Sequence, residues 1–217
     1  MPFALPRALS CAELTVGALI VLGHNVFRVL PNEVPILVVI GLLSFRLRDG
    51  GWSAMGFRRP HSWPHLLGIA VAAAVIAVLA GELIIGPIAE KFWPPPKMPS
   101  MAAGISGNPW PALKALLIVW TFAAFGEEVA YRGYLMARGA DLGARSTPAW
   151  WISMLFVSLV FGFGHYYKGP AGIAESTFSG LVLGTAYLLA GRNLWASVLA
   201  HGFMDTVGIA ALFLGVS

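Results

Sequence analysis

The chain has 217 residues, 58% of them hydrophobic and only 11% charged, with a mean hydropathy of +0.76. Soluble domains carry about 25% charged residues, so these values exclude a soluble globular protein and imply a single all-α integral membrane domain over residues 1–217, a polytopic helix bundle. The net charge of +4 is not backed by a Lys/Arg stripe with interleaved aromatics, which argues against nucleic acid as a partner and leaves basic membrane loops as the source of the charge.

Apolar stretches of helical length, bounded by Pro, Gly or charge, predict about seven spans near 11–30, 34–46, 65–89, 111–138, 148–167, 171–190 and 194–215. The first carries Glu13 and His24; Pro6 and Arg7 interrupt the apolar run before it, so no cleavable signal peptide is expected. Cys11 is the only cysteine, which rules out an intramolecular disulfide framework. The second stretch is short and reads as a half-span or as a helix packed inside the bundle. Glu82 in the third span and Glu175 in the sixth read, like Glu13 and His24, as end or interface groups.

Two connections give the orientation. Residues 46–64 hold Arg46, Arg48, Arg58 and Arg59, whereas residues 90–110 hold Pro94, Pro95, Pro96, Pro99 and Pro109 with only Lys91 and Lys97. The positive-inside rule places the arginine-rich connection in the cytoplasm. Arg138, Arg145 and Arg192 then fall on the same side, as does the N-terminus with Arg7. The proline-rich connection and the C-terminus fall outside.

The second half carries charge where charge is expensive: Glu127, Glu128, Arg132 and Asp205, together with His165 and His201. A charged residue at the centre of a membrane helix costs about 2.5–3.5 kcal/mol, so an intramembrane cluster marks a functional site by default. Glu128 and Arg132 are i,i+4 neighbours on one helix face and can pair. Glu127 points about 100° away and has no local cation, which suits a general base. The plainer reading is that both Glu share Arg132 as a packing network. His165 follows Phe161 by four residues, so the two rings can stack. His201 and Asp205 are also i,i+4, and the carboxylate can fix the imidazole tautomer. A carboxylate with two imidazoles can activate water, with or without a metal.

In this order, EEVAYR at 127–132, Phe161 to His165 and His201 to Asp205 match the EExxxR, FxxxH and HxxxN/D signatures. The chain thereby resembles the CAAX protease and bacteriocin-processing family, glutamate-dependent intramembrane proteases that include the type II CAAX prenyl endopeptidases. The resemblance covers residues 110–210, the catalytic core made of the last four spans. It implies that Glu127 activates water, that His165 helps to hold it, and that His201 with Asp205 stabilises the oxyanion. It implies that Glu128 and Arg132 form a buried structural pair. Many relatives carry Asn where this chain has Asp205, and an ionised Asp can only orient His201.

Glu127, His165 and His201 could also hold zinc or another divalent metal in a His₂Glu site, although the helical HExxH pattern is absent. The expected substrates are membrane proteins or lipidated peptides in the bilayer. Prenylated CAAX tails fit the eukaryotic branch; the compact chain and short loops look bacterial, which points to an inner-membrane location and to peptide maturation, bacteriocin processing or immunity. Two rivals stand beside this reading. Gly104-Ile105-Ser106-Gly107 spells the GxSG string of rhomboid-type serine proteases, but in an outer loop. A non-proteolytic scaffold or a proton-relay or transport protein would use the same buried charges. A geometric tension also remains. Measured from the inner ends of their expected spans, Glu127, His165 and His201 would lie at depths of about 16, 25 and 10 Å, so straight helices with those boundaries do not close a site.

Overall fold

A computed structural model gives the fold and describes residues 4–94 and 102–216. Seven long helices dominate these residues: α1 (Ala4–Asn25), α2 (Glu33–Arg48), α3 (Trp63–Phe92), α4 (residues 109–142), α5 (Thr147–Phe163), α6 (Gly169–Leu189) and α7 (Leu194–Leu214). No strand occurs among the described residues. Each expected span therefore appears as a helix. Three of them, α1 from Pro6, α3 and α7, are long and apolar enough to cross a membrane alone. A fourth crossing exists if α5 and the segment Tyr166–Leu189 form one span, bent by 59° at the break. Helix α2, at 16 residues, is the short element expected. Pro95, Pro96, Lys97 and Pro99 of the proline-rich connection lie outside the described residues.

The helix ends follow local chemistry. Asn32 caps α2 by accepting from Val34 N, and Asn193 caps α7 by accepting from Trp195 N. Prolines occupy the first turn of α3, α4, α5 and α6, where a missing N–H costs nothing. Helix α1 starts earlier than expected because Pro6 sits in such a first turn. It ends at Asn25 rather than at residue 30, because the following turn carries Arg28 at φ +55 and leads into Leu30-Pro31.

Two helices are widened. In α3, residues Gly81–Ile85 form a π turn that precedes Pro87. In α4, Val119–Glu127 and Val129–Leu135 are π-helical. Wide turns of this kind occur often at functional sites. Every residue from Val129 to Leu135 is buried, so α4 is the axis around which the bundle packs.

The arginine-bearing connections meet at one end. Arg138, almost fully buried, donates to Glu13 at 2.9 Å, to Asp49 at 2.7 Å and to Asp141 at 3.0 Å. Arg145 reaches Asp49 and Asp141, both at 2.6 Å. Arg58 donates to the Gly191 carbonyl, and Asn193 donates to the Arg58 carbonyl at 3.0 Å. These are the connections that the charge distribution assigns to one side.

Asp141 lies beyond the expected span 111–138. Burial pushes its carboxyl up, but hydrogen bonds from Ser10, Arg145 and Arg138 outweigh burial and hold it below the ordinary carboxylate range. A lowered folded value means that the contribution to stability is present above the unfolded value of about 3.9 and is lost only as pH falls through the folded value. Thermal unfolding of the wild type and of Asp141→Asn should therefore differ by a constant amount near neutral pH. The gap should narrow only below about pH 4; a gap that closed nearer neutrality would contradict the pairing.

Candidate active site

Helix α4 supplies Glu127, Glu128 and Arg132, the turn after α5 supplies His165, and α7 supplies His201 and Asp205. Glu128 and Arg132 are fully buried and pair at 2.7 Å, as their spacing suggests, despite the π geometry around them. Arg132 also donates to the Gly180 carbonyl on α6 at 3.1 Å and lies 4.5 Å over the Phe161 ring. Both contacts lower the cost of a buried guanidinium.

Glu128 has a second task that its spacing does not reveal. Its Oε1 also accepts from His201 Nδ1 at 2.9 Å, which ties α4 to α7. The other ring nitrogen of His201, Nε2, lies 3.4 Å from Asp205 Oδ2. The i,i+4 pairing of His201 with Asp205 is thus present, and the imidazole is held between two carboxylates.

Phe161 is the hub of the site. Its ring packs on Tyr131 at 5.0 Å, His165 at 4.9 Å and His201 at 6.2 Å. His165 lies in the turn after α5 rather than inside the helix. Its Nδ1 bonds to the Phe161 carbonyl at 3.0 Å. A carbonyl only accepts, so Nδ1 carries a proton, and in the neutral ring Nε2 keeps its lone pair. The turn needs a small residue beside His165: a Cβ on Gly164 would sit 3.0 Å from both the Phe161 carbonyl and the Tyr131 hydroxyl.

Glu127 differs from its neighbour. It makes no hydrogen bond among the described residues, and its Oε2 is buried. Glu128 Oε2 is also bare, but that carboxylate is already held through Oε1. His201 and Asp205 are within electrostatic reach of Glu127. No direct hydrogen bond joins Glu127 to His165 or to His201 in the described residues.

The depth mismatch disappears for three reasons. Helix α4 continues past Arg138 to Leu142, so Glu127 lies deeper from that end. Helix α7 starts against α4, with Leu194 N bonded to Gly56 O and the Leu194 side chain facing Gly133. His201 therefore rises to the level of Glu128. Helix α5 then breaks just beyond Phe161, and the turn folds His165 back against that ring.

Three further residues are missing from the sequence reading. Tyr131 is buried between Phe161 and Glu33, with its hydroxyl 3.5 Å from Glu33 Oε1. Trp120 donates to Thr206 at 3.2 Å and lies flat on Gly202, where a Cβ would collide with the indole. The glycine next to His201 was the available signal for that close approach. Tyr167 stands 6.1 Å from His165 and lines a cavity of about 380 Å³ with His24, Asn25 and Arg28.

A metal needs several ligand lone pairs converging on one point. Among the described residues no group of three or more His, Cys, Asp or Glu is placed to hold one. His201 has both nitrogens directed at carboxylates, so it offers no lone pair toward Glu127 and His165. As placed, Glu127, His165 and His201 do not fit a His₂Glu metal site.

The GxSG string lies elsewhere. Gly107 N–H donates to the Phe213 carbonyl, and Ser106 lies beside Gly215. That is about 20 Å of helix rise beyond His201. The string is a docking turn on the end of α7.

Residues 109–207 match a family model described as type II CAAX prenyl endopeptidase Rce1-like. No curated protein and no solved structure matches the chain. The matched segment runs from the start of α4 into α7 and contains all three motifs and every residue around Phe161 described above. Residues 109–207 of the chain are thus similar to the type II CAAX prenyl endopeptidases, and the first three helices lie outside the match.

Proposed function

We propose that this protein is a glutamate-dependent intramembrane endopeptidase that hydrolyses peptide bonds of membrane-associated or prenylated, CAAX-type substrates. One observation carries the reading: of two adjacent glutamates on α4, the fully buried Glu128 is consumed by Arg132 and His201, while the half-buried Glu127 has no hydrogen bond among the described residues and is left for a ligand.

The reaction follows from the side chains. A water between Glu127 and the His165 Nε2 lone pair attacks the substrate carbonyl carbon. Glu127 accepts the proton, and the C–O bond forms as the carbonyl becomes an oxyanion. His201, with its Nδ1–H held by Glu128, carries a second proton on Nε2 and gives that N–H to the oxyanion in place of the 3.4 Å contact to Asp205. Collapse of the intermediate breaks the C–N bond, and Glu127 returns its proton to the departing amine. Arg132 keeps Glu128 ionised, and Glu128 aligns His201. The family match supports the protease class, and a cavity lined by Tyr167, whose ring stands 6.1 Å from His165, lies close to the site.

The test uses purified protein in bilayers and two quenched peptides, one farnesylated with a CAAX end and one unmodified membrane segment. Cleavage by the wild type, unaffected by chelator and absent from Glu127→Ala, is the expected result. Cleavage that survives Glu127→Ala would overturn the mechanism and favour a scaffold or proton relay built on the same charges. Loss of cleavage on chelation, restored by zinc, would show that the side chains rearrange around a metal.

A further inference from the structure

At the end of the bundle where the arginine-bearing connections meet, a cavity of about 590 Å³ lies among the starts and ends of α1, α2 and α4. It is separate from the site around Phe161. Four guanidinium groups line it, those of Arg7, Arg48, Arg138 and Arg145, against the carboxylates of Asp49 and Asp141. Glu13, bound by Arg48 and Arg138, adds a third carboxylate behind the wall. Four cations face three anions, and the surplus is located. Arg7 has no carboxylate partner among the described residues. Arg145 spends Nε on Asp141 and Nη2 on Asp49, which leaves Nη1 free. Ala144 and Arg145 hold φ near +55 and +53, a conformation uncommon outside glycine, and so the turn presents Arg145 at some cost.

We infer that this cavity binds the phosphate of an anionic phospholipid of the cytoplasmic leaflet. A single net positive charge, with unshared guanidinium donors from two helix ends, matches a phosphodiester monoanion. Beside Ser10, the remaining wall is an apolar stretch formed by Pro6, Leu9 and Ala144, and Leu9 is exposed. A free phosphate has no use for such a wall, whereas the glycerol and the first methylenes of a lipid do. The cavity also lies at the end of the bundle that the arginine distribution assigns to the cytoplasm, where basic pockets between helices capture anionic headgroups. The bound lipid would bridge α1 to the end of α4.

The experiment compares full-length wild type with Arg7→Gln, a substitution outside the internal ion pairs, in discs of phosphatidylcholine alone or mixed equally with phosphatidylglycerol. Native mass spectrometry reads retained lipid, and thermal unfolding reads stabilisation. The wild type should retain one phosphatidylglycerol and unfold at a higher temperature in the mixed discs. Arg7→Gln should retain it about fivefold less well, the effect expected of one arginine at an anionic surface. Equal retention by the two proteins would overturn the assignment. Inorganic phosphate that reproduced the stabilisation in phosphatidylcholine discs would overturn the lipid as ligand.

Discussion

Glu127→Gln is expected to slow peptide hydrolysis by about 10²–10⁴-fold, the usual contribution of a positioned general base, while leaving thermal unfolding where it was. The reasoning is local. Glu127 makes no hydrogen bond that the amide would break, and Gln has the same shape, so the fold loses little. What the amide cannot do is accept a proton from water. Glu128→Gln should behave in the opposite way. Glu128 is fully buried, and Oε1 serves both Arg132 and His201; a neutral amide leaves Arg132 without its counter-charge and offers an NH₂ where donors already point. That variant should lose stability and activity together. Initial rates on a cleaved peptide, set beside unfolding temperatures, separate the two. If both variants lost the same activity with no change in stability, the division of labour between the adjacent glutamates would be wrong.

Arg132→Met is expected to destabilise the protein by about 3–5 kcal/mol, the cost of leaving one partner of a buried ion pair behind. The stranded partner is Glu128, which would keep only His201. The Gly180 carbonyl would lose its donor and the Phe161 ring its cation. Adding Glu128→Leu to Arg132→Met should recover part of the loss, because an apolar pair of similar volume often equals a buried ion pair in stability. Unfolding measured in mild detergent gives both numbers. A double variant less stable than Arg132→Met alone would mean that Glu128 matters to the fold chiefly through His201.

Much of this was legible in the residues. The seven helices follow from apolar runs bounded by Pro and Gly. The Glu128–Arg132 and His201–Asp205 contacts are four residues apart along one helix, which brings such neighbours together, whereas Phe161 and His165, also four apart, meet through the turn after α5. The contacts that were not legible cross between helices. Nothing in HGFMD announces that His201 Nδ1 reaches Glu128, because that bond depends on how deep α7 starts, and the depth is set by Leu194 pinned to the Gly56 carbonyl. A prediction that began every helix at one membrane surface could not find it. The π turns of α4 escaped for a related reason: they depend on bonds chosen among competing carbonyls, not on composition. The early start of α1 is hidden in the sequence because Pro6 reads as an interruption, although proline is tolerated in a first turn.

The bond between Glu128 and His201 joins positions 73 residues apart. Neither residue can change alone without stranding a buried polar atom on the other, so the two must be inherited as a unit. A chimera that took α7 from a relative with a different partner at position 201, while keeping this α4, would import an unmatched donor or acceptor into a dry interior. Recombination within this scaffold is therefore restricted to breakpoints that keep α4 and α7 from the same parent, however interchangeable the two helices look by hydropathy.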